Sequence, residues 1–194
     1  MPRPKQFDPD AALDRAVEVF WTHGYDGTSV QTLVDGLGIS RSSLYDTFGD
    51  KDRLFLAALD RYRSRQTRAL REALSADGPA LDALRAFFHD AAARAADAQG
   101  PAGCFLANAA AERAHCCGAT AKRVDVNRRR MAETLREAVA RAQAEGDVPA
   151  SRDADAAAHH LLVVAFGLNA AAQAGATADA LRAAADAALD ALAA

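Results

Sequence analysis

The stretch from Thr28 to Lys51 constrains this 194-residue chain more than any other. Gln31 follows Thr28 by three residues, which is the pattern of a capping box, so a helix is predicted to begin at Thr28. Apolar residues then recur at helical spacing, and Gly38 supplies a residue that tolerates the positive φ of a tight turn. Ser40 can cap a second, short helix. The stretch therefore predicts two short helices joined by a tight turn.

The second of these helices has two different faces. Leu44 and Phe48 point inward, whereas the outward face carries side chains that donate hydrogen bonds: Arg41, Ser42, Ser43, Tyr45 and Thr47. A helix this short is not stable alone in water, and neighbouring helices must therefore support it. A supported short helix with a polar outer face suits insertion into the major groove of DNA, and the pattern predicts a helix-turn-helix.

Residues 7 to 60 as a whole resemble the DNA-binding domain of the TetR/AcrR family of transcriptional regulators. The matching elements recur at fixed spacing, and they are Phe20 to Tyr25, Thr28 to Val30, Gly38 to Ser40, and Ser43 to Lys51. The resemblance implies that the residues at Thr28, Tyr45 and Lys51 anchor DNA phosphates, and that the exposed face of the third helix contacts bases. Gly36 and Leu37 stand where the family usually has Ala pairs, which implies a looser second helix.

Arg41 is the residue best suited to a direct base contact, because a guanidinium can pair with a guanine through two hydrogen bonds. The alternative is a helix-turn-helix that remains solvated and is used only for contacts with other proteins. The predicted DNA-binding residues are Thr28, Ser29, Ser40, Arg41, Ser42, Ser43, Tyr45, Thr47 and Lys51.

The charge balance does not by itself favour nucleic-acid binding, since the net charge is −3. Residues 1–50 contain four cations, Arg3, Lys5, Arg15 and Arg41, against eight acids. A DNA-binding head of this kind must place its few cations locally, and its affinity must depend strongly on salt. Arg3 and Lys5 precede the first helix, either as a solvated tail or as an arm that reaches a minor groove.

The rest of the chain is rich in alanine and poor in β-branched residues, which favours helix throughout. The predicted fold class is all-α, with nine helices: a helix-turn-helix domain over 1–50, a connecting helix four over 51–75, and a ligand-binding and dimerisation domain over 76–194. Asp50 is predicted to cap helix four, which runs to about Leu74. The later helices are predicted to end near Ala98, Cys117, Glu145, Ala174 and Ala193, and to begin near Pro79, Gly103, Ala119, Arg152 and Ala178.

Helices eight and nine carry small and apolar residues over wide faces. Two such faces from two subunits can form a four-helix interface, for which Leu162, Phe166, Leu181 and Leu189 are the predicted residues. The alternative is that these helices only close the core of one chain. The family resemblance implies the same homodimer, and a two-fold dimer predicts a pseudo-palindromic operator.

Helices five to eight are predicted to enclose an apolar cavity for a small-molecule inducer. Phenylalanines on such a stripe can equally be plain core, and single polar residues can be satisfied structural groups. The predicted ligand-binding residues are Phe87, Phe88, Phe105, Asn108, Glu112, His115, Phe166 and Asn169.

Cys104 gives a second idea about sensing. It lies at the start of helix six, where the helix dipole lowers the pKa of a thiol. Gly103 followed by Cys104 resembles a branch of the family that responds to electrophiles or oxidants, although a small buried thiol is the alternative. His115, Cys116 and Cys117 are adjacent and do not have the C-x-x-C spacing, so no metal site is predicted, and no cofactor is expected.

The sequence therefore predicts a DNA-binding transcriptional regulator, a repressor that a small molecule releases from operator DNA. One alternative is a repressor that senses oxidants or electrophiles through Cys104, and a remote one is a helical ligand-binding protein or enzyme with a vestigial helix-turn-helix. An enzyme is not expected, because no Gly-rich phosphate loop and no catalytic acid pair is present in the sequence. With no signal peptide or membrane span, and three cysteines, a reduced cytoplasmic protein is expected.

Overall fold

The computed structural model describes residues 7–97 and 103–194, and over these ranges the chain forms nine α-helices and no strand. The all-α prediction is confirmed. Arg3 and Lys5 lie outside the described residues. The helices are α1 (Pro9–His23), α2 (Val30–Leu37), α3 (Arg41–Phe48), α4 (Lys51–Leu74), α5 (Ala80–Ala95), α6 (Phe105–Arg113), α7 (Gly118–Glu145), α8 (Ala154–Gln173) and α9 (Ala178–Ala193).

The predicted start of α2 is wrong, because Ser29 and not Thr28 is its N-cap. The Ser29 hydroxyl accepts a hydrogen bond from the Thr32 amide at 3.0 Å. Thr28 is fully buried, and its hydroxyl donates to the Gly24 carbonyl at 2.5 Å. Burial of this threonine explains the shift, because a side chain that faces the core cannot also cap the exposed end of a helix.

Four other ends differ from the prediction. α5 ends at Ala95 instead of about Ala98, and α6 runs from Phe105 to Arg113 instead of from Gly103 to about Cys117. α8 begins at Ala154 instead of about Arg152, because Asp153 is its N-cap and accepts hydrogen bonds from two backbone amides.

The chain divides into two compact units, of which the first is Met1–Ser64 together with Phe105–Val124. This unit contains α1, α2, α3 and α6 with parts of α4 and α7, so its boundaries differ from the contiguous domains expected from sequence. Its core is aromatic at the centre: the Phe55 ring meets Phe20 edge-on at 5.1 Å between centroids and Phe105 at 5.8 Å. Edge-to-face pairs of this kind add stability beyond the area they bury.

Two arginines connect the helices of the first unit. Arg15 of α1 donates two hydrogen bonds, at 3.1 and 2.8 Å, to the carbonyl of Leu37 at the end of α2. Arg61 of α4 pairs with Asp14 at 2.7 Å and with Asp10 at 3.1 Å, both on α1. α1 is therefore fixed to α2 on one side and to α4 on the other, which supports the short helices that follow.

The second unit is Arg65–Cys104 together with Asp125–Ala194. Leu84, Phe88, Leu135, Leu161 and Leu189 lie in its core. At its surface Arg85 of α5 pairs with Asp186 at 2.6 Å and Asp190 at 2.8 Å, both on α9. None of the helices within the described ranges has both the length and the apolar composition that crossing a membrane requires.

Candidate DNA interface

The turn between α2 and α3 has the geometry that the sequence predicts. Gly38 adopts the left-handed conformation, with φ 65° and ψ 34°, and its amide donates to the Val34 carbonyl at 3.0 Å. Ser40 caps α3 and accepts a hydrogen bond from the Ser43 amide at 3.1 Å. The direction in which α3 leaves the turn is therefore fixed by local hydrogen bonds.

α3 presents a polar face to solvent. Arg41, Ser42 and Tyr45 are exposed, Ser43 and Thr47 are half-buried, and Leu44 on the opposite face is completely buried. The Ser40 hydroxyl lies 2.9 Å from the hydroxyls of both Ser42 and Ser43, so the start of α3 is a cluster of hydroxyl groups. Phe48, predicted to point inward, is only half-buried.

Arg41 is exposed, and among the described residues none forms an ion pair with it. Arg15, the other arginine that precedes α4 in the described chain, is bonded to the Leu37 carbonyl. Asp46 of α3 and Asp50, which precedes α4, are also exposed. Arg41 is thus the cation that α3 offers to a nucleic acid.

Lys51 is the first residue of α4, and the cap of that helix is as predicted. The Asp50 carboxylate accepts a hydrogen bond from the Arg53 amide at 2.7 Å. The Lys51 ammonium lies 4.0 Å from the centroid of the Tyr25 ring, which attracts it as a cation over an aromatic face. A cation in the first turn interacts unfavourably with the positive end of the helix dipole, and a phosphate bound there would remove this unfavourable interaction.

The predicted DNA-binding residues therefore differ in access. The Thr28 hydroxyl is buried and bonded, so its side chain is not at the surface, and the exposed Ser29 takes its place at the start of α2. Ser40, Arg41, Ser42 and Tyr45 are exposed at the start of α3 or on its outer face.

The predicted ligand-binding residues are divided between the two units. Phe105, Asn108, Glu112 and His115 belong to the first, and Phe87, Phe88, Phe166 and Asn169 to the second. Three of them have an evident structural task, which sequence alone did not reveal. Phe105 packs in the aromatic core, Asn169 donates to the Ala165 carbonyl of its own helix at 2.8 Å, and both Glu112 carboxylate oxygens accept backbone hydrogen bonds.

Sequence reasoning missed a buried polar cluster in the second unit. Asn127 is only 2% exposed. Its side-chain nitrogen lies 3.4 Å from the Gln66 side-chain oxygen and 3.2 Å from the Met131 sulfur. Its side-chain oxygen has no hydrogen-bond partner. The Gln66 nitrogen lies 3.8 Å from the Cys104 sulfur. The signal in the sequence was a polar residue on an otherwise apolar helix stripe, because Asn127 follows Val124 by three residues and precedes Met131 by four.

The same unit has a cleft of about 340 Å³ between α7 and α8. Its lining is charged, unlike the apolar cavity expected, and it contains none of the predicted ligand-binding residues. The charged lining residues are Arg128, Arg129, Glu133, Arg136 and Asp155.

The three cysteines are free and differ in exposure: Cys104 is buried, Cys116 is exposed and Cys117 is half-buried. Hydrogen bonds from the side chain and backbone of Thr120 lower the pKa of the Cys117 thiol, which immediately precedes α7. Over the described ranges, no group of three His, Cys, Asp or Glu side chains is placed to bind a metal ion.

The structure contradicts most of the predicted dimer-interface residues. Leu162, Leu181 and Leu189 are buried inside their own chain at 3%, 2% and 0% exposure, and Phe166 is half-buried. The leucine stripe of each helix supplies the monomer core, so any contact with a second subunit must use the other face. On α8 that face includes Val163, which is 68% exposed.

Comparison with known families gives matches to both parts of the chain. Residues 12–58 match the profile described as "Bacterial regulatory proteins, tetR family". Residues 80–188 match the profile described as "Tetracyclin repressor-like, C-terminal domain".

Relatives of similar sequence are regulators by name. The HTH-type transcriptional repressor ComR of Escherichia coli (strain K12) is 33% identical over 176 residues, which are 90% of this chain and 84% of ComR. The uncharacterized HTH-type transcriptional regulator YezE of Bacillus subtilis (strain 168) is 42% identical over 112 residues. That match spans 58% of this chain and 58% of YezE, which is less than two thirds of the relative's length.

Solved structures show the same fold. A cysteine mutant of the TetR family transcriptional regulator CifR, complexed with 26-bp double-strand operator DNA, superposes with a TM-score of 0.88 at 32% identity and covers 98% of this chain and 99% of its own. The reduced form of E. coli NemR has a TM-score of 0.84 at 19% identity, covering 95% of this chain and 97% of NemR, and shows likeness of fold alone.

Proposed function

Because this chain belongs to the TetR family of bacterial transcriptional regulators, we propose that it is a repressor that binds a pseudo-palindromic operator as a homodimer and releases it when a small molecule binds. Family membership confirms two sequence predictions: the chain is a DNA-binding transcriptional regulator, and it is not an enzyme. The operator, the homodimer and the inducer are the parts that we propose.

The observation that carries the proposal is the exposed face of α3. Arg41, Ser42 and Tyr45 lie exposed on a helix whose start is fixed by the Ser40 cap and whose other face is anchored by the buried Leu44. In this proposal Arg41 contacts a base in the major groove, while Ser29, Tyr45 and Lys51 contact phosphates. Ser42 and the half-buried Ser43 and Thr47 contribute through short hydroxyl groups.

A single short helix offers few base contacts, so a second copy is needed for specificity. A two-fold dimer would place two α3 helices about 34–36 Å apart, one turn of B-DNA. The complex of CifR with 26-bp operator DNA supports a site of this size for the present chain. We propose that the exposed face of α8, with Val163, His160 and Gly167, forms part of the dimer contact.

The inducer is proposed to bind the second unit, most of which lies within residues 80–188, the range that matches the C-terminal domain profile. The Asn127 oxygen there is buried and without a partner, which is costly unless something donates a hydrogen bond to it. We therefore expect an uncharged ligand with a hydroxyl or amide group. Asn127→Leu should weaken its effect on DNA binding.

In vitro selection of duplexes by the full-length protein tests the proposal. The expected result is an enriched sequence with an inverted repeat, bound by wild type and by Arg94→Ala but poorly by Arg41→Ala. Arg94 is an exposed arginine of α5, so its variant loses the same charge outside the helix-turn-helix. Failure to enrich any duplex, or enrichment of one without two-fold symmetry, would contradict it.

Cys104 supports a second candidate function, sensing of oxidants or electrophiles. It directly precedes α6, and its sulfur lies 3.8 Å from the Gln66 amide nitrogen. Under this alternative, treatment with an electrophile releases DNA from wild type but not from Cys104→Ser. Equal release from both proteins would exclude Cys104 as the sensor.

A further inference from the structure

The turn between α1 and α2 is bound by the last two residues of α6. The Glu112 carboxylate accepts hydrogen bonds from the amides of Tyr25 at 2.9 Å and Asp26 at 2.8 Å. Gly24 has a φ of 70°, and a Cβ there would come within 3.0 Å of a Glu112 oxygen. The backbone of the turn and the Glu112 carboxylate are therefore packed as closely as a glycine permits.

Arg113 binds the side chain of the same turn. Its guanidinium carbon lies 3.4 Å from the centroid of the Tyr25 ring, and one of its nitrogens lies 3.0 Å from the Asp52 carboxylate. The Arg113 side chain is only 14% exposed, whereas Asp52 is 60% exposed. A guanidinium so largely buried is placed by these contacts and does not sample solvent freely.

The Tyr25 ring thus has two cations over it, Arg113 and Lys51. Burial raises the pKa of the Tyr25 hydroxyl, a hydrogen bond with Arg113 opposes that shift, and Asp52 adds to it. The ring is fixed by Glu112 through its backbone and by Arg113 and Asp52 through its side chain. It is consequently a rigid platform on which the flexible Lys51 side chain lies.

We propose that Glu112 and Arg113 are positioning residues for DNA binding, which act by fixing the Tyr25 ring and thereby placing the Lys51 ammonium where a backbone phosphate meets the start of α4. The proposal rests on the proposed function in one respect, the contact between Lys51 and DNA. A lysine side chain loses much rotamer freedom when it binds a phosphate, and a ring that already restricts it lowers that loss.

A purely structural role for Arg113 is the alternative, and a double-mutant cycle separates the two. The chain offers a matched control in Arg123, which pairs with Asp60 at 2.9 Å in the same unit and is absent from the contacts of the Tyr25 ring. The full-length protein is titrated with a duplex that the wild type has selected in vitro, at several salt concentrations, and each variant is also melted thermally.

We expect Lys51→Ala and Arg113→Ala each to weaken binding by about tenfold and to reduce the salt slope by about two, one phosphate for each subunit of a dimer. The double variant should bind no more weakly than Lys51→Ala alone, because both changes remove the same contact. Arg123→Ala should retain the wild-type slope. Glu112→Gln keeps one carbonyl acceptor, so its DNA affinity should lie between that of the wild type and that of Arg113→Ala.

If the losses of DNA affinity caused by Lys51→Ala and Arg113→Ala multiply in the double variant, the inference is overturned although DNA binding itself remains established. An unchanged salt slope in Arg113→Ala would overturn it equally. If that variant does not fold, Arg113→Lys keeps the charge but loses the planar stack, and a wild-type slope in it would refute the positioning role. Absence of any selected duplex would instead overturn the proposed function.

Discussion

Gly36 of α2 gives a sharp test of how closely α1 and α2 pack. A Cβ added at Gly36 would lie 2.7 Å from the Cγ2 atom of Val19 on α1. Helix propensity alone predicts that Gly36→Ala stabilises the fold by about 1 kcal/mol. The contact predicts the reverse, because overpacking costs about 1–3 kcal/mol and the β-branched Val19 cannot swing its methyl away. We expect a net loss of about 1 kcal/mol.

The double variant shows whether Val19 is the cause. Val19→Ala removes the obstructing methyl, so in that background Gly36→Ala should stabilise by about 1 kcal/mol. Urea unfolding followed by fluorescence measures both effects, since Trp21 is the only tryptophan and packs on Tyr62 in the first unit with a centroid distance of 4.9 Å. If Gly36→Ala stabilises the wild-type background as much as the Val19→Ala background, the reasoning is refuted.

Three other predictions concern different parts of the chain. Hydrogen bonds from Thr120 lower the pKa of Cys117, so iodoacetamide should alkylate Cys117 faster than the buried Cys104 below pH 8, as read by peptide mass spectrometry; equal rates would contradict this. Val163→Glu should convert the proposed homodimer to monomer in light scattering, because a charge on this exposed side chain opposes its burial against a second copy, and an oligomeric state equal to that of the wild type would remove Val163 from the proposed interface. Hydrogen bonds with His89 and then with Arg85 lower the pKa of the Asp186 carboxyl from its ordinary value of 3.8. The stability that the ionised Asp186 contributes is therefore fully present above that pH and is lost as the pH falls through the lower pKa of the folded state. Asp186→Asn should flatten the acid limb of a plot of melting temperature against pH, and an unchanged limb would contradict this.

Local signals in the sequence predicted local structure well. Asp50 and Ser40 cap their helices as expected, Gly38 adopts the left-handed turn, and α9 has the predicted bounds. These features depend on a few neighbouring residues, so a pattern of spacing is sufficient to find them. The start of α2 was predicted wrongly because adjacent residues, Thr28 and Ser29, could both cap it, and only burial decides between them.

Contacts between distant residues could not be predicted in this way. Glu112 and Tyr25 are 87 positions apart, and Arg15 and Leu37 are 22 apart, with no spacing rule that connects them. Glu112 was expected in a ligand pocket because it is a polar residue of a helix predicted to enclose one, whereas its carboxylate binds the turn after α1.

The leucines of α8 and α9 illustrate a second limit. Amphipathic periodicity identifies an apolar face but does not say whether that face meets its own chain or a second one. Leu162, Leu181 and Leu189 fill the monomer core, whereas small residues such as Gly167 and Ala187 are exposed. A dimer prediction from such helices is better placed on the small exposed residues than on the leucines.

We propose that α3 gives this regulator sequence-specific contact with DNA through Arg41. The most direct measurement is the ratio of affinities for a selected operator duplex and a scrambled duplex of the same length, at one fixed salt concentration. We expect Arg41→Ala to lower this ratio by about tenfold or more and to lower the affinity for the scrambled duplex far less. An equal loss on both duplexes, or an unchanged ratio, would contradict it.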